Sequence, residues 1–227
     1  MACGMTNPKT FNNIDGVPIK YGQPGAYSQI NVQSETSFWS KLVGWKNEMQ
    51  SYAAYGGSAY SSINSFGHAG FYTCKAGKHG EGRAMDLNAV YWNGGSSTNL
   101  FGGDHASSNQ QTRRRYLSVD ATCRRTFKFV LDGWYNSAHA NHIHQDDTSP
   151  VSFQTSSSSD VKFLQATLNN FNGSSLAVDG AWGSATLAQY NIAKGKLGMS
   201  TDIWASASAY QGFLQSVALK GLWNQAF

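Results

Sequence analysis

The chain has 227 residues, 41% of them hydrophobic and only 13% charged, which is enough to bury a core in one large or two small domains. Its formal net charge of +4 is too small to argue for a nucleic-acid partner and fits a mildly anionic polymer instead. No apolar run approaches the ~18 residues of a membrane-spanning helix and no signal peptide is visible; richness in Gly, Ser, Asn, Trp and Tyr suits an extracellular or envelope-facing protein better than a cytosolic housekeeping enzyme.

Residues 1–33 carry Asn, Gly, Pro, Gln and Tyr without a sustained period and read as an irregular surface arm. From Phe38 the apolar residues Leu42, Trp45, Met49, Tyr52 and Ala53 recur at helical steps, and Gly56-Gly57 ends that helix. Short extended candidates follow at 59–63, 70–73 and 84–91, divided by Gly-containing turns. In the last, Asp86 alternates with Met85 and Leu87, so its carboxylate faces away from them on a strand. Residues 92–105 read as a Gly-rich loop. A second helix over 110–132 carries Tyr116, Val119, Cys123, Phe127, Val130 and Leu131 on one side. Its arginines read as a solvated face or as contacts to an anionic polymer. Residues 153–159 form a short polar linker, and residues 160–227 read as a small all-α module. Three cysteines are present, and their spacing matches no zinc knuckle or CxxC motif. One Cys74–Cys123 disulfide with Cys3 left over is the expectation; three unrelated buried thiols are the alternative.

Four of the six histidines fall in two short windows, His79-Gly80-Glu81-Gly82-Arg83-Ala84-Met85-Asp86 and His139-Ala140-Asn141-His142-Ile143-His144. Imidazoles plus one carboxylate are the three protein ligands of an open catalytic zinc site, whereas closed structural sites favour cysteine. Gly82 permits a turn that brings His79 and Asp86 to one point. His142 and His144 alternate on an extended segment and share a face. A strand beside that of Asp86 then completes a His, Asp, His set, with a further histidine next to the open position. Ordinary surface or core histidines are the bland reading, which two mutually consistent windows disfavour.

The pattern His-x-x-Gly-x-Ala-x-Asp followed by His-x-x-His-x-His-x-Asp resembles the lysostaphin, D-Ala-D-Ala metallopeptidase and hedgehog group of zinc proteins. Within it the chain is most similar to the extensin-like C-terminal family, which also places a cysteine before the first histidine and a Cys-x-x-x-Phe helix before the second window, here Cys74 and Cys123 to Phe127. The likeness covers about residues 35–148. It implies Zn²⁺ held by His79, Asp86 and His144 in a zinc peptidase domain over 34–152 that cleaves peptide bonds in peptidoglycan. Relatives often carry a carboxylate base where Asn141 stands, and an amide takes no proton at neutral pH. His142 is then the first candidate for the base and His139 the second. Asp146 is either a partner fixing a histidine tautomer or a solvated loop acid; Arg83 is a candidate for gripping a substrate carboxylate.

Leu164-Gln165-x-x-Leu168, followed by Val178-Asp179-Gly180-x-Trp182-Gly183-x-x-Thr186, resembles the three-helix peptidoglycan-binding repeat found beside wall hydrolases. The expected architecture is therefore α+β: a small antiparallel sheet flanked by helices around the zinc site, then a C-terminal three-helix module. The expected protein is a monomeric peptidoglycan hydrolase acting in the periplasm or wall of a target bacterium, as an endolysin or an effector delivered by a secretion apparatus with an immunity partner. A zinc-retaining wall binder without catalysis, and a zinc amidase cutting the sugar–peptide bond, are the competing expectations.

Overall fold

A computed structural model describes residues 4–148 and 150–227 as an α+β protein with five α-helices and mixed sheets. The first segment is not an irregular arm. Its strand β1 (Pro8–Phe11) pairs antiparallel with β4 (Val32–Glu35), and between them β2 (Asn13–Ile14) and β3 (Val17–Tyr21) form a hairpin. That hairpin closes on Asp15 and Gly16, both at positive φ (46° and 85°), the two-residue Asp-Gly turn whose twist matches paired strands. The local sequence lacked a period because these strands are short, and β1 finds its partner β4 more than twenty residues along the chain.

The central sheet has seven strands in the order β2-β3-β5-β6-β9-β8, with β7 also pairing β6. Here β5 is Ile63–Gly70, β6 Ala84–Trp92, β7 Ser97–Thr98, β8 Phe129–Leu131 and β9 Ile143–Asp146. It is larger than the small antiparallel sheet expected, and it is mixed: β3 runs parallel to β5 while the remaining pairs are antiparallel. The strands expected at 59–63 and 70–73 do not form: β5 is the segment between them and takes only Ile63 and Gly70 from those spans, whereas 84–91 corresponds to β6.

Helix α1 (Thr36–Ala53) buries Phe38, Leu42, Trp45, Met49 and Tyr52, each such side chain worth roughly 1.5–3 kcal/mol of transfer. Trp45 stacks on Phe66 of β5 with centroids 4.8 Å apart, fixing the helix to the sheet. Helix α2 spans Gln110–Thr126 and is shorter than expected. Phe127 is extended, and the residues after it add β8 to the edge of β9, with Leu131 opposite His144. Aromatic and β-branched side chains fit a strand edge better than another helical turn.

Cys123 sits on the buried side of α2 as a free thiol, so the Cys74–Cys123 disulfide does not form. Burial pushes its pKa well up, and Cys74 lies in the exposed loop before His79. Cys3, expected to be the cysteine left over, lies outside the described residues.

Beyond β9, α3 (Ser158–Thr167) continues into a π-helical turn (Leu168–Asn172), followed by α4 (Ser184–Lys196) and α5 (Ala207–Leu222). The hydrophobic core runs without a break from the sheet to these helices. Helix α5 lies along α2 so closely that a Cβ at Gly221 would run into the Arg114 carbonyl oxygen, and Ser118 Oγ donates to the Ala218 carbonyl at 2.5 Å. This explains why residues 116–124 of α2 are buried on every side, as a helix sandwiched between layers must be. Among the described residues no helix is long and apolar enough to cross a membrane.

Candidate metal centre

Strand register brings the two histidine windows together. Asp86 on β6 lies directly opposite His144 on β9, and side chains opposite each other in an antiparallel pair share a face. Their neighbours Met85, Leu87 and Ile143 point the other way and are fully buried. His79 comes from the loop after β5. Its Nδ1 donates to the Phe71 carbonyl at 2.5 Å and its own carbonyl accepts from Thr73 N at 3.3 Å. Gly82, at φ 67°, makes the turn between His79 and β6.

Three atoms converge: His144 Nδ1 is 2.9 Å from Asp86 Oδ1, and His79 Nε2 is 3.2 Å from that oxygen and 3.3 Å from His144 Nδ1. Metal–ligand bonds of about 2.0–2.1 Å in a tetrahedron give edges of about 3.3 Å, so these residues fit a divalent metal. The outer hydrogen bonds fit as well. With His79 Nδ1–H committed to Phe71 O, the Nε2 lone pair faces the shared point; with His144 Nε2–H toward Asp146 Oδ2 at 3.3 Å, the Nδ1 lone pair does the same. This is how a carboxylate or a carbonyl fixes the tautomer of a ligating imidazole. His79, Asp86 and His144 form one group that can hold a metal ion.

Electrostatics follow from the same contacts. Burial alone would raise the Asp86 carboxyl, but hydrogen bonds from His144 and His79 outweigh it and hold the group well below the usual carboxylate range. Burial would lower His144; its bonds to Asp146 and Asp86 raise it to about 9. Asp146, despite burial, is lowered by His144 and Thr148. His142 is lowered by burial and then by the neighbouring His144, His79 and Lys75 charges, Asp86 acting the other way. His139 is lowered by burial and by His142 and His144.

The cleft over this group measures about 540 Å³. His142 and His139 line it, their rings 5.0 Å apart, with His142 Nε2 3.8 Å from Asp86 Oδ1. Each is anchored through Nδ1 to an amide oxygen: His142 to Asn141 at 2.8 Å and His139 to Asn136 at 2.7 Å. Arg83 is not brought to the cleft. Its Nε pairs with Asp147 Oδ1 at 2.8 Å, and the latter carboxylate also takes Lys41 Nζ at 3.0 Å. Sequence reasoning missed Lys75, Lys78, Phe129 and Leu131 in the cleft walls. Phe129 and Leu131 had been assigned to α2; the only signal for them was the extended propensity of the residues after Thr126.

Asp146→Asn tests the outer hydrogen bond. The amide oxygen no longer accepts with a charge from His144, and affinity for a divalent metal, measured by competition with a chelator, is expected to fall about 10- to 100-fold.

The sequence matches the family described as extensin-like protein C-terminus over residues 2–155. No curated protein and no solved structure matches the chain. The matched span takes in the whole central sheet and both histidine windows and stops before α3.

Proposed function

This chain belongs to the extensin-like protein C-terminus family, and from that premise we propose that it is a zinc-dependent peptidoglycan hydrolase cleaving peptide bonds in the stems or cross-links of the wall. The observation that carries the reading is the convergence of His79 Nε2, Asp86 Oδ1 and His144 Nδ1 within 3.3 Å of one another in the wall of an open cleft. Zinc held there by His79, Asp86 and His144 would supply a Lewis acid for the scissile carbonyl and would lower the pKa of a bound water to about 7.

The chain's own residues do the rest. His142 Nδ1–H donates to Asn141 Oδ1 at 2.8 Å, so the Nε2 lone pair is left free toward the cleft. Its lowered pKa keeps that nitrogen unprotonated at neutral pH, as a general base must be. Asn141, where relatives often carry the base, here orients the base. His142 takes the proton of the attacking water and returns it to the leaving amine; His139 stands beside it as the second candidate. Lys75 has no ion pair among the described residues, and Phe129 is 46% exposed. Together they give the cleft lining a cationic and an apolar group, suited to a peptide that mixes carboxylates with small aliphatic side chains.

The C-terminal helices are proposed as a three-helix wall-binding module, which would raise the hydrolase's effective concentration on its polymer. The motif residues draw into one knot: Gln165 Nε2 donates to Asp179 Oδ1 at 2.8 Å and Thr186 Oγ1 at 3.2 Å, while Gly180 N donates to Gln165 Oε1 at 2.9 Å. They build the fold rather than face a ligand. The protein would act as a monomer in the periplasm or wall of a target cell, as an endolysin or a delivered effector with an immunity partner. This location rests on the substrate.

His142→Ala is expected to retain stoichiometric zinc and lose about 10²- to 10⁴-fold in turnover, read as muropeptide release from purified sacculi. Wild-type turnover in that variant moves the base to His139. Asn141 also favours a second reading, a zinc-retaining wall binder. Zinc-loaded protein that co-sediments with sacculi and creates no new amino termini establishes the binder; fragments cut between sugar and peptide, seen by mass spectrometry, establish an amidase.

A further inference from the structure

The loop that carries His139 is held from outside the family match. Asp132, fully buried after β8, accepts from Trp134 N at 2.9 Å and Tyr135 N at 3.0 Å through Oδ1, and from Arg124 Nη2 at 2.9 Å through Oδ2. Arg124 in turn reaches α3, through Ser159 Oγ at 3.1 Å and Asp160 Oδ1 at 3.3 Å. Ser159 Oγ donates to the Val130 carbonyl of β8. One helical turn further, Lys162 Nζ donates to the Tyr135 carbonyl at 2.9 Å. The Tyr135 ring meets the His139 ring edge-on at 5.6 Å, and Asn136, the next residue, takes both His139 N and Nδ1 through its amide oxygen, at 3.2 and 2.7 Å. A continuous set of bonds therefore runs from α3 to a cleft histidine. Exposed loops between a strand and a short 3₁₀ turn otherwise move freely, and a charge-assisted bond to the carbonyl at the loop's apex removes that freedom.

We propose that Lys162 is a positioning residue for His139, acting through Tyr135, so that the C-terminal helices complete the cleft wall as well as any role they have on the wall polymer. The catalytic side of this inference rests on the hydrolase reading; its structural side does not. Lys162 does not line the cleft, and residues 2–155 of the family match exclude it.

The test uses the full isotope-labelled chain with Lys162→Met, which keeps length and loses the charge, and Lys162→Arg, which keeps a donor. In Lys162→Met the nuclear Overhauser contact between the Tyr135 and His139 rings is lost and the His139 resonances shift, zinc content stays at wild-type level, and turnover on sacculi falls about 10- to 100-fold. Lys162→Arg restores all three. Unchanged His139 resonances in Lys162→Met overturn the proposal. So does the same loss in Lys194→Met, which breaks the Lys194–Asp202 pair of the C-terminal helices without touching Tyr135. If Lys162→Met folds poorly, Tyr135→Ala must shift His139 in the same way while Lys162 keeps its carbonyl acceptor. A wild-type protein without turnover defeats the hydrolase reading and leaves the resonance result to decide this one.

Discussion

His144→Ala is expected to abolish metal binding and turnover together. The substitution removes one of the three proposed ligands and leaves His79 and Asp86 as a two-point site, so the loss of zinc affinity should exceed the 10- to 100-fold typical of an outer partner. Its pH signature is as informative as its size. In the metal-free protein the His144 imidazole titrates at about 9, above its unfolded value, so at pH 7 it holds a proton that zinc must displace. Metal uptake by the wild type at pH 7 should therefore release close to one proton from His144, and affinity should fall about tenfold per pH unit as pH drops below 9. In the variant that release disappears, and calorimetry in buffers of different ionisation enthalpy reads it directly. The sign for stability is consistent: a group whose pKa is raised on folding stabilises the metal-free fold below its unfolded pKa, and the contribution is lost as pH rises through 9. Retention of stoichiometric zinc in His144→Ala would sink the ligand assignment.

Arg124→Ala is expected to be the most destabilising single change in the chain. Arg124 is 2% exposed and pairs with Asp120 at 2.8 Å, Asp132 at 2.9 Å and Asp160 at 3.3 Å, its guanidinium also lying over the Phe163 ring at 4.6 Å. Truncating it strands Asp120 and Asp132 in the interior; Asp160 keeps Lys128 Nζ at 2.9 Å. Leaving buried charges uncompensated costs about 3–5 kcal/mol, or roughly 6–20 °C in melting temperature for a chain of this size. Burial already pushes Asp120 well up even with Arg124 beside it. Without the arginine the buried carboxyls bind protons more tightly folded than unfolded. The deficit against wild type should then widen as pH rises above about 4 and narrow below it. Denaturant melts at pH 3.5 and pH 7 check this; an equal deficit at both values removes the electrostatic account. Because Arg124 also joins α2 to Asp132 and to α3, the variant should loosen the His139 loop as well.

The clustering of His79, Asp86 and His144 was legible because a strand alternates its side chains and because imidazole and carboxylate spacings carry coordination chemistry without any knowledge of the rest of the fold. The helical periods of α1 and α2 were legible for the same local reason. The first residues were not, since β1 to β4 are strands of two to five residues, and a period cannot register in so few positions. The end of α2 was misplaced because Val130 and Leu131 fit a helical stripe as well as a strand, and only the open edge of β9 selects the strand. The cysteine pairing failed on orientation: Cys123 turns into the core between α1 and α2, and no spacing along a chain reports which way a helical side chain points.

By itself, then, the sequence determined the make-up of the candidate centre, two imidazoles and a carboxylate with further histidines beside them, because the donor groups on offer are a property of residues. Tertiary structure alone decided what surrounds that centre. It swung Arg83 to Asp147, turned Asn141 into an anchor for His142, brought Phe129 and Lys75 to the lining of one cleft, and tied Lys162 of a distant helix to the His139 loop. Those contacts depend on strand register and on buried ion pairs between segments far apart in the chain, and neither leaves a local mark.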